Sequence, residues 1–350
     1  GNAGRNGGEY YTPRPLIRAM IKVVDPKVGE RVYDGAVGSA GFLCEAFEYM
    51  SKQADMTTSK MKTLQEKTFY GKEKKSLAYV IAVMNMILHG IDAPNIVHSN
   101  TLGENISLIQ EKDRYNVVLA NPPFGTKSSV TMIGDDGRKT KDNLEIVRDD
   151  FWVTTSNKQL NFVQHIKTIM DINGRAAVVL PDNVLFEGGA GETLRKRLLK
   201  EFDVHTLIRL PTGIFYAGGV KANVLFFDKK PAGDKPWTTK LWVYDFRTNQ
   251  HFTMKQNPLR RDHLDEFVDA YKPGNRGKRK ESERFKAFTY EEIIARDKAN
   301  LDIIWLKDDS LEDAADLPAP EILAREIMEE LQVAIGEFTA IVAALGGEVD

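Results

Sequence analysis

Short apolar runs alternate along this chain with stretches of helical periodicity. Runs typical of strands lie at 27–34, 68–73, 95–100, 115–120, 175–181, 204–210 and 223–227. Helical patterns separate most of them, and the apolar pattern from Leu77 to His89 predicts a largely buried helix. Strands that alternate with helices form a doubly wound, mostly parallel α/β sheet. Because no helix-length spacer separates the last two strands, one antiparallel strand is expected near the edge of the sheet.

The composition excludes several classes of protein. Of 350 residues, 42% are hydrophobic and 28% are charged, as in ordinary globular proteins. No apolar run approaches the roughly 20 residues that span a bilayer, so we predict no membrane helix. The single cysteine, Cys44, excludes an internal disulfide and a cysteine-cluster zinc site, and it favours a reducing compartment, the cytoplasm. No metal site is predicted.

The charge balance gives no general indication of a nucleic-acid partner. The net charge is −2, from 48 basic and 50 acidic residues. No overall positive field therefore favours DNA or RNA. If the chain acts on DNA, another component must help it to bind.

A glycine-spaced turn follows the first strand, at Gly35, Gly38 and Gly41, and a helix begins directly after it. Glycines before a helix let backbone amides approach a ligand closely, which is typical of nucleotide sites. The spacing differs from the dinucleotide motif G-x-G-x-x-G, and no G-K-[ST] follows. The turn therefore favours neither NAD nor ATP.

Two acidic residues end neighbouring strands: Asp34 precedes the glycine turn, and Glu73 ends the next strand. Ligands of open α/β sheets bind outside these carboxyl ends. A carboxylate after the second strand can accept hydrogen bonds from both hydroxyls of a ribose. The alternative for Glu73 is an exposed charge at the start of a helix.

The most specific motif is Asn121, Pro122, Pro123 and Phe124, directly after the apolar fourth strand. The exocyclic amine of an aromatic base is a poor nucleophile because its lone pair is delocalised into the ring. The side-chain carbonyl of Asn121 and the backbone carbonyl of Pro122 can accept both amino hydrogens and so favour a pyramidal nitrogen. The prolines aim these acceptors, and Phe124 offers a face for stacking. The alternative is an ordinary Asn-Pro turn that closes a strand.

Together these motifs resemble a known family. The segment 34–43 is similar to the S-adenosylmethionine motif of DNA adenine N6-methyltransferases, and 121–124 is similar to their catalytic motif. The segment 9–15 precedes both, in the order that resembles the modification (M) subunits of type I restriction-modification systems. The similarity continues through 155–159, 179–189 and 210–216, so it covers nearly the whole chain.

The resemblance implies a Rossmann-like methyltransferase sheet, S-adenosyl-L-methionine as cofactor, and methylation of adenine N6 in double-stranded DNA. It implies that the cofactor is bound by Glu9, Tyr10, Tyr11, Thr12, Pro13, Arg14, Asp34, Ser39, Ala40, Gly41 and Glu73, with Asn100 near its adenine. It also implies that the flipped target adenine is held by Asn121, Pro122, Pro123 and Phe124. The implied partners are a specificity (S) subunit, which reads the DNA sequence, and a restriction (R) subunit, with two M subunits per S subunit.

The chain departs from the family pattern in three respects. Gly35 stands where a proline is usual, and Ala40 stands where many methyltransferases have glycine. The family's helical N-terminal domain has no counterpart, and the chain starts at Gly1 without a methionine. We therefore expect a truncated M subunit.

Four parts are predicted along the chain: an N-terminal segment with a cofactor motif (1–25), the methyltransferase catalytic domain (26–255), a basic linker and irregular region (256–318), and a C-terminal amphipathic helix (319–350). The helix is a candidate docking element for the specificity subunit. The polar stretch 126–158 is too long for a plain connection and is a candidate loop for closing over DNA. The basic run 272–280 is expected to be solvated, with phosphate contact as the alternative.

Two other functions remain open at this stage. Asn-Pro-Pro followed by an aromatic residue also serves methyltransferases that act on RNA guanine N2 or on protein glutamine, although the element 10–13 argues against them. The second alternative is a catalytically idle cofactor-binding scaffold that only assembles a larger complex.

Overall fold

The computed structural model describes residues 11–103, 110–124, 129–133, 139–143, 145–215 and 220–308, together with single helical positions between 321 and 339. The predicted site residues Glu9 and Tyr10 lie outside the described residues. The chain divides into two compact units, 1–306 and 307–350. In the described ranges, no helix is long and apolar enough to cross a membrane.

The first half of the larger unit alternates strands with helices. In chain order the elements are α1 (Arg14–Val24), β1 (Val32–Asp34), α2 (Gly41–Ser51), α3 (Thr58–Lys67), β2 (Phe69–Glu73), α4 (Ser76–Leu88), β3 (Asn95–His98) and β4 (Tyr115–Ala120). A separate hairpin follows, formed by β5 (Ser129–Ile133) and β6 (Lys139–Asn143). The hydrophobic pattern did not predict α3, because this helix buries only Leu64.

The second half continues the alternation. Its elements are α5 (Lys158–Ile169), β7 (Met170–Pro181), α6 (Asp182–Phe186), α7 (Ala190–Glu201), β8 (Phe202–Arg209), β9 (Ala222–Lys229), β10 (Lys240–Asp245), α8 (Asp265–Tyr271), β11 (Phe285–Thr289) and α9 (Tyr290–Ala295). The side chain of Asn157 begins α5 by accepting a hydrogen bond from the backbone N–H of Leu160.

Nine of these strands form one sheet in the order β11-β10-β8-β9-β7-β4-β1-β2-β3. Strands β7, β4, β1, β2 and β3 run parallel, and β10 is parallel to β8. Strand β9 is antiparallel to both β7 and β8, and β11 is antiparallel to β10. The predicted mostly parallel α/β fold is therefore confirmed.

The antiparallel strand predicted near the edge lies inside the sheet. Strand β9 is flanked by β7 and β8, because the short connection after β8 returns the chain beside it. Strands β10 and β11 then extend the sheet beyond β8. The edge strand β11 went unpredicted, although Phe285 packs against Trp242 with ring centroids 4.8 Å apart.

The region 256–318 is more regular than predicted, because it contains α8, β11 and α9. Two cations of its basic run are turned towards the sheet. Arg276 pairs with Asp228 of β9, and the buried Arg279 donates to the carbonyls of Tyr271 and His205. These two arginines fasten the run to the fold, whereas the sequence predicted a solvated linker.

Buried apolar side chains form two layers, one on each face of the sheet. Strand β4 shows the alternation: Val117 and Leu119 belong to one layer, and Val118 and Ala120 to the other. Helices α1, α2 and α8 contribute to the first layer, and α5, α7 and α9 to the second. Both faces are therefore covered, as in other doubly wound sheets.

Helix α4 is not the largely buried helix that its composition predicts. Its buried residues are Ala82 and Met86, whereas large apolar side chains are exposed at Leu77, Val80, Ile81, Met84, Ile87 and Leu88. The helix follows β2 and packs against β3, which is the edge strand of the sheet. At an edge, only one narrow side of a helix meets the core.

In the smaller unit, the described positions 321, 324, 325, 328, 331, 332, 335 and 339 are helical. The side chains of Met328, Leu331 and Ile335 are exposed there. The docking role suggested for 319–350 stays a prediction.

Candidate active site

A cavity of about 620 Å³ lies at the carboxyl ends of β1, β2 and β4. The direction of strand order reverses between β1 and β4, and ligands of doubly wound sheets bind at such a switch point. Most of the predicted site residues line this cavity: Tyr11, Thr12, Arg14, Asp34, Ser39, Gly41, Glu73, Asn100, Asn121 and Pro123. The fold thus brings the two predicted motifs into one site.

The first turns of α1 are joined to the start of α2 at the end of the glycine turn. Arg14 donates to the carbonyl of Gly41 at 3.1 Å, and it also contacts the carboxylate of Glu45 in α2. Glu45 is buried and is held by Arg18 as well, at 2.8 Å. These contacts explain why residues far apart in sequence border the same cavity.

The glycine turn is shaped by two residues with left-handed backbone. Gly38 has φ +55° and Ala40 has φ +62°. Glycine adopts this conformation freely, whereas an alanine there is strained by roughly 1 kcal/mol. The carboxylate of Glu73 accepts the N–H of Gly38 at 2.9 Å, which ties the turn to the end of β2.

Glu73 is fixed by the backbone. Its second carboxylate oxygen accepts the N–H of Lys75 at 2.8 Å. The side chain is half-buried and lines the cavity. The structure therefore does not support the alternative of an exposed charge at the start of α4.

Asp34 is a buried carboxyl close to Glu73. Its pKa is raised to about 7: burial has the largest effect and raises the pKa, the hydrogen bond from the N–H of Ala36 lowers it, and the charge of Glu73 raises it. Two acidic groups in one cavity repel each other when both are ionised. A positively charged group bound beside Asp34 would relieve this repulsion.

The tip after β4, residues 121–124, is held by two side chains. The amide nitrogen of Asn121 donates to the hydroxyl of Thr12 at 2.9 Å. The amide nitrogen of Gln159 donates to the carbonyl of Pro123 at 2.7 Å. Asn121 and Pro123 line the cavity, and these two hydrogen bonds restrain them there.

Phe124 is placed differently from the predicted stacking role. Its side chain is only 7% exposed, and its ring packs edge-on against Phe215 with centroids 6.1 Å apart. Neither Phe124 nor Pro122 lines the cavity. Stacking of a base on Phe124 would require part of this packing to open.

Four lysines also line the cavity: Lys72, Lys74, Lys75 and Lys158. Burial lowers the pKa of Lys158, and the charges of Lys74 and Lys75 lower it further. Among the residues that the structure describes, no carboxylate lies within 4.0 Å of the ammonium groups of Lys74 and Lys158. We call these four lysines, which were not predicted from the sequence, the lysine rim.

The family was then tested by comparison with known proteins. Residues 1–306 match the family model described as N-6 DNA Methylase. The chain belongs to the N-6 DNA methylase family. It is 38% identical to the methylase subunit of the type I restriction enzyme StySPI from Salmonella potsdam, over 97% of this chain and 68% of that protein. The predicted relationship to the type I M subunits is confirmed, as is the predicted enzyme class of DNA methyltransferase.

Solved structures agree with this assignment. The crystal structure of the EcoKI M protein, from a type I restriction enzyme, superposes with a TM-score of 0.74 at 36% identity, over 97% of this chain and 73% of that one. A Listeria monocytogenes structure described as a class I S-adenosylmethionine-dependent methyltransferase superposes with a TM-score of 0.50 at 16% identity, over 76% and 71% of the two chains. The second comparison shows the fold alone.

Two of the departures from the family pattern, Gly35 and Ala40, lie in the glycine turn that the structure describes. The carbonyl of Gly35 accepts the hydroxyl proton of Thr101 at 2.6 Å, and this buried hydrogen bond restrains the turn without a proline. Ala40 adopts the left-handed conformation that glycine adopts freely. Neither departure opens the turn.

Sequence reasoning missed the apolar wall of the cavity. Val37, Phe42, Ile81, Leu102 and Phe162 line it, and such surfaces suit an aromatic ring system. Their apolar character predicts burial in general and so did not distinguish them from core residues. In the described part of the chain, no group of three histidine, cysteine or acidic side chains is placed to hold a metal ion.

Proposed function

We propose that this chain is the modification subunit of a type I restriction-modification system and transfers a methyl group from S-adenosyl-L-methionine to N6 of adenine in double-stranded DNA. The observation that carries the proposal is the placement of Asn121 and of the Asp34–Gly41 turn around one cavity. Membership of the N-6 DNA methylase family supports the same reaction.

The cavity fits the proposed cofactor chemically. A cation bound beside Asp34 would favour the ionised form of this carboxyl, and the cofactor carries a sulfonium and an ammonium group. Glu73 can accept hydrogen bonds from ribose hydroxyls, and the wall near Phe162 and Ile81 suits an adenine. When bound, S-adenosylmethionine supplies an electrophilic methyl group. Two other predicted cofactor residues that the structure describes, Pro13 and Ala40, do not line the cavity. They directly precede α1 and α2.

The tip acts on the acceptor amine. Asn121 and the carbonyl of Pro122 are the proposed acceptors for the two amino hydrogens, so that the nitrogen lone pair is released for in-line attack on the methyl carbon. No basic side chain is required before the attack, because the nitrogen becomes acidic only after it is methylated. As the carbon–nitrogen bond forms, the carbon–sulfur bond would break and the neutral thioether would leave, and the methylated amine would release its surplus proton to solvent. Extrusion of the base from the duplex costs a few kcal/mol, which contacts at the tip must offset.

The lysine rim and the net charge are consistent with DNA binding that is shared between this chain and another subunit. Lys74 and Lys158 border the cavity and can contact phosphates close to the extruded nucleotide. The net charge of −2 gives no general attraction to DNA. We therefore assign sequence recognition to a specificity subunit, and DNA cleavage to a restriction subunit, with two modification subunits for each specificity subunit by family resemblance.

Replacement of Asn121 by alanine tests the proposal. In a complex purified with the specificity subunit, N121A should lower the rate of methyl transfer to target DNA by about 10²-fold or more and leave cofactor binding nearly unchanged. Asn95→Ala is a matched control, because Asn95 donates only to the carbonyl of Glu66 outside the cavity. A wild-type rate for N121A would refute the role of the tip.

The same assay separates the substrate classes. Labelled methyl transfer is measured on DNA, on RNA and on protein, and the modified base is identified after digestion. We expect N6-methyladenine in DNA. Transfer to RNA guanine or to protein glutamine would replace the proposal, and absence of transfer to any acceptor would favour the scaffold function.

A further inference from the structure

The tip, residues 121–124, forms hydrogen bonds with residues from both sides of the sheet. Thr12 directly precedes the first turn of α1, whose side chains belong to one core layer. Gln159 lies in the first turn of α5, whose side chains belong to the other layer. Their contacts with Asn121 and Pro123 measure 2.9 Å and 2.7 Å. Two independently packed helices thus meet at residues 121–124.

We propose that Thr12 and Gln159 are positioning residues that hold the acceptor tip in its reactive geometry. This inference rests on the proposed function. Family resemblance implies cofactor binding for Thr12, and the positioning role is additional to it. For Gln159, the resemblance implies no role. We call the pair the tip clamp.

The Thr12 contact holds the side chain of Asn121 in place, with the amide nitrogen towards the hydroxyl. The side-chain amide of asparagine can be rotated by 180° with little change of shape, and this exchanges its oxygen and nitrogen. Because the nitrogen of Asn121 donates to Thr12, the oxygen occupies the opposite branch of the amide. A reversed amide would present N–H groups to an amine that itself donates, and the acceptor would be lost.

The Gln159 contact fixes the backbone of the tip. Gln159 is 3% exposed, and its amide nitrogen is satisfied by the carbonyl of Pro123. Asn157 caps the same helix and also donates to Glu187, so the start of α5 is itself restrained. The carbonyl of Pro122 is one peptide away from the held group. A shift of about 1 Å at a reacting centre can lower a rate by about 10²-fold.

Four variants test the tip clamp in the full subunit purified with its specificity subunit. Transfer of labelled methyl from saturating S-adenosylmethionine to saturating target duplex is followed in a single turnover, and calorimetry gives the cofactor Kd. T12V and Q159M should each lower the transfer rate about five- to tenfold, the equivalent of one net hydrogen bond. The cofactor Kd of Q159M should stay within about twofold of the wild-type value, because Gln159 does not line the cavity. T12S keeps the hydroxyl and should restore the wild-type rate.

The fourth variant, Q159E, adds a pH signature. An ionised glutamate cannot donate to the carbonyl of Pro123, whereas a protonated one can. The rate of Q159E relative to wild type should therefore rise as the pH falls. This variant and the Thr12 pair keep the inference testable if Q159M does not fold.

Gln53→Met is the matched control. Gln53 makes the same type of bond, to the carbonyl of Pro26 at 2.6 Å, but away from the cavity. It should leave the transfer rate unchanged. The clamp is overturned if T12V weakens cofactor binding without lowering the saturated rate, or if Q159M and Q159E retain wild-type rates at every pH. A wild-type complex that transfers no methyl group to adenine would instead refute the proposed function.

Discussion

Replacement of Gly71 by alanine would push β2 against the glycine turn. Gly71 lies opposite Asp34 in the register of β1 and β2. A Cβ atom at this position would lie 2.3 Å from a methyl carbon of Val37 and 2.9 Å from the backbone oxygen of Asp34. The first distance is roughly 1 Å shorter than ordinary van der Waals contact, which begins near 3.4 Å.

The structure leaves little room for relief. Val37 is 4% exposed, and the second contact is to backbone, which cannot rotate away. Overpacking of this kind costs typically about 1–3 kcal/mol of the free energy of unfolding. Because Val37 belongs to the turn that lines the cavity, the displacement also moves the proposed cofactor site. We expect G71A to weaken cofactor binding by about ten- to a hundredfold.

Calorimetric titration with S-adenosylmethionine and thermal unfolding measure the two effects. The midpoint of thermal unfolding should fall by about 1–2 °C for each kcal/mol of destabilisation, because the entropy of unfolding grows with chain length and this chain has 350 residues. Gly277→Ala is the matched control, since the nearest atom to its added carbon is the side-chain oxygen of Asn275 at 3.7 Å. G71A could instead keep the wild-type cofactor Kd and the wild-type midpoint of thermal unfolding. The close packing of β2 on the glycine turn would then not determine the geometry of the cofactor site.

Two further predictions concern charge. Burial raises the pKa of Asp34 to about 7, so the folded chain holds more protons than the unfolded chain between about pH 4 and 7. This group therefore lowers the free energy of unfolding as the pH rises through that window. Denaturant titrations of wild type and D34N between pH 5 and 7.5 should show a shallower pH dependence for the variant, and equal slopes would contradict the assignment. Replacement of both Lys74 and Lys158 by glutamine should reduce the slope of log Kobs against log salt for DNA binding by about 0.9 for each phosphate that the variant no longer neutralises. An unchanged slope would remove the lysine rim from the DNA interface.

Much of the fold follows from local sequence patterns. The apolar run before Asn121 predicts a strand covered on both faces, and the structure splits its side chains between the two core layers. The predicted residues Asp34, Glu73 and Asn121 lie at strand ends around one cavity, because the carboxyl ends of parallel strands meet at one edge of a sheet. These inferences need only the order of elements and their direction.

Other features depend on which surfaces meet. The same local pattern makes α4 apolar on all sides, but its place at the edge of the sheet leaves most of those side chains exposed. Phe124 has the right residue type for stacking, and its packing on Phe215 decides that its ring is buried. Arg276 of the basic run is bound to Asp228 of β9, which lies 48 positions earlier in the sequence.

The sequence by itself determined the strand and helix pattern, the methyltransferase family and the residue types at the strand ends. Only the tertiary structure decided where the Asn121 side chain is held, which depends on a hydroxyl 109 positions away. The physical reason is the separation along the chain over which each kind of interaction acts. Periodicity and turn chemistry act between neighbours along the chain, whereas the aim of a side chain is set by groups that meet only when the two helical layers close on the sheet.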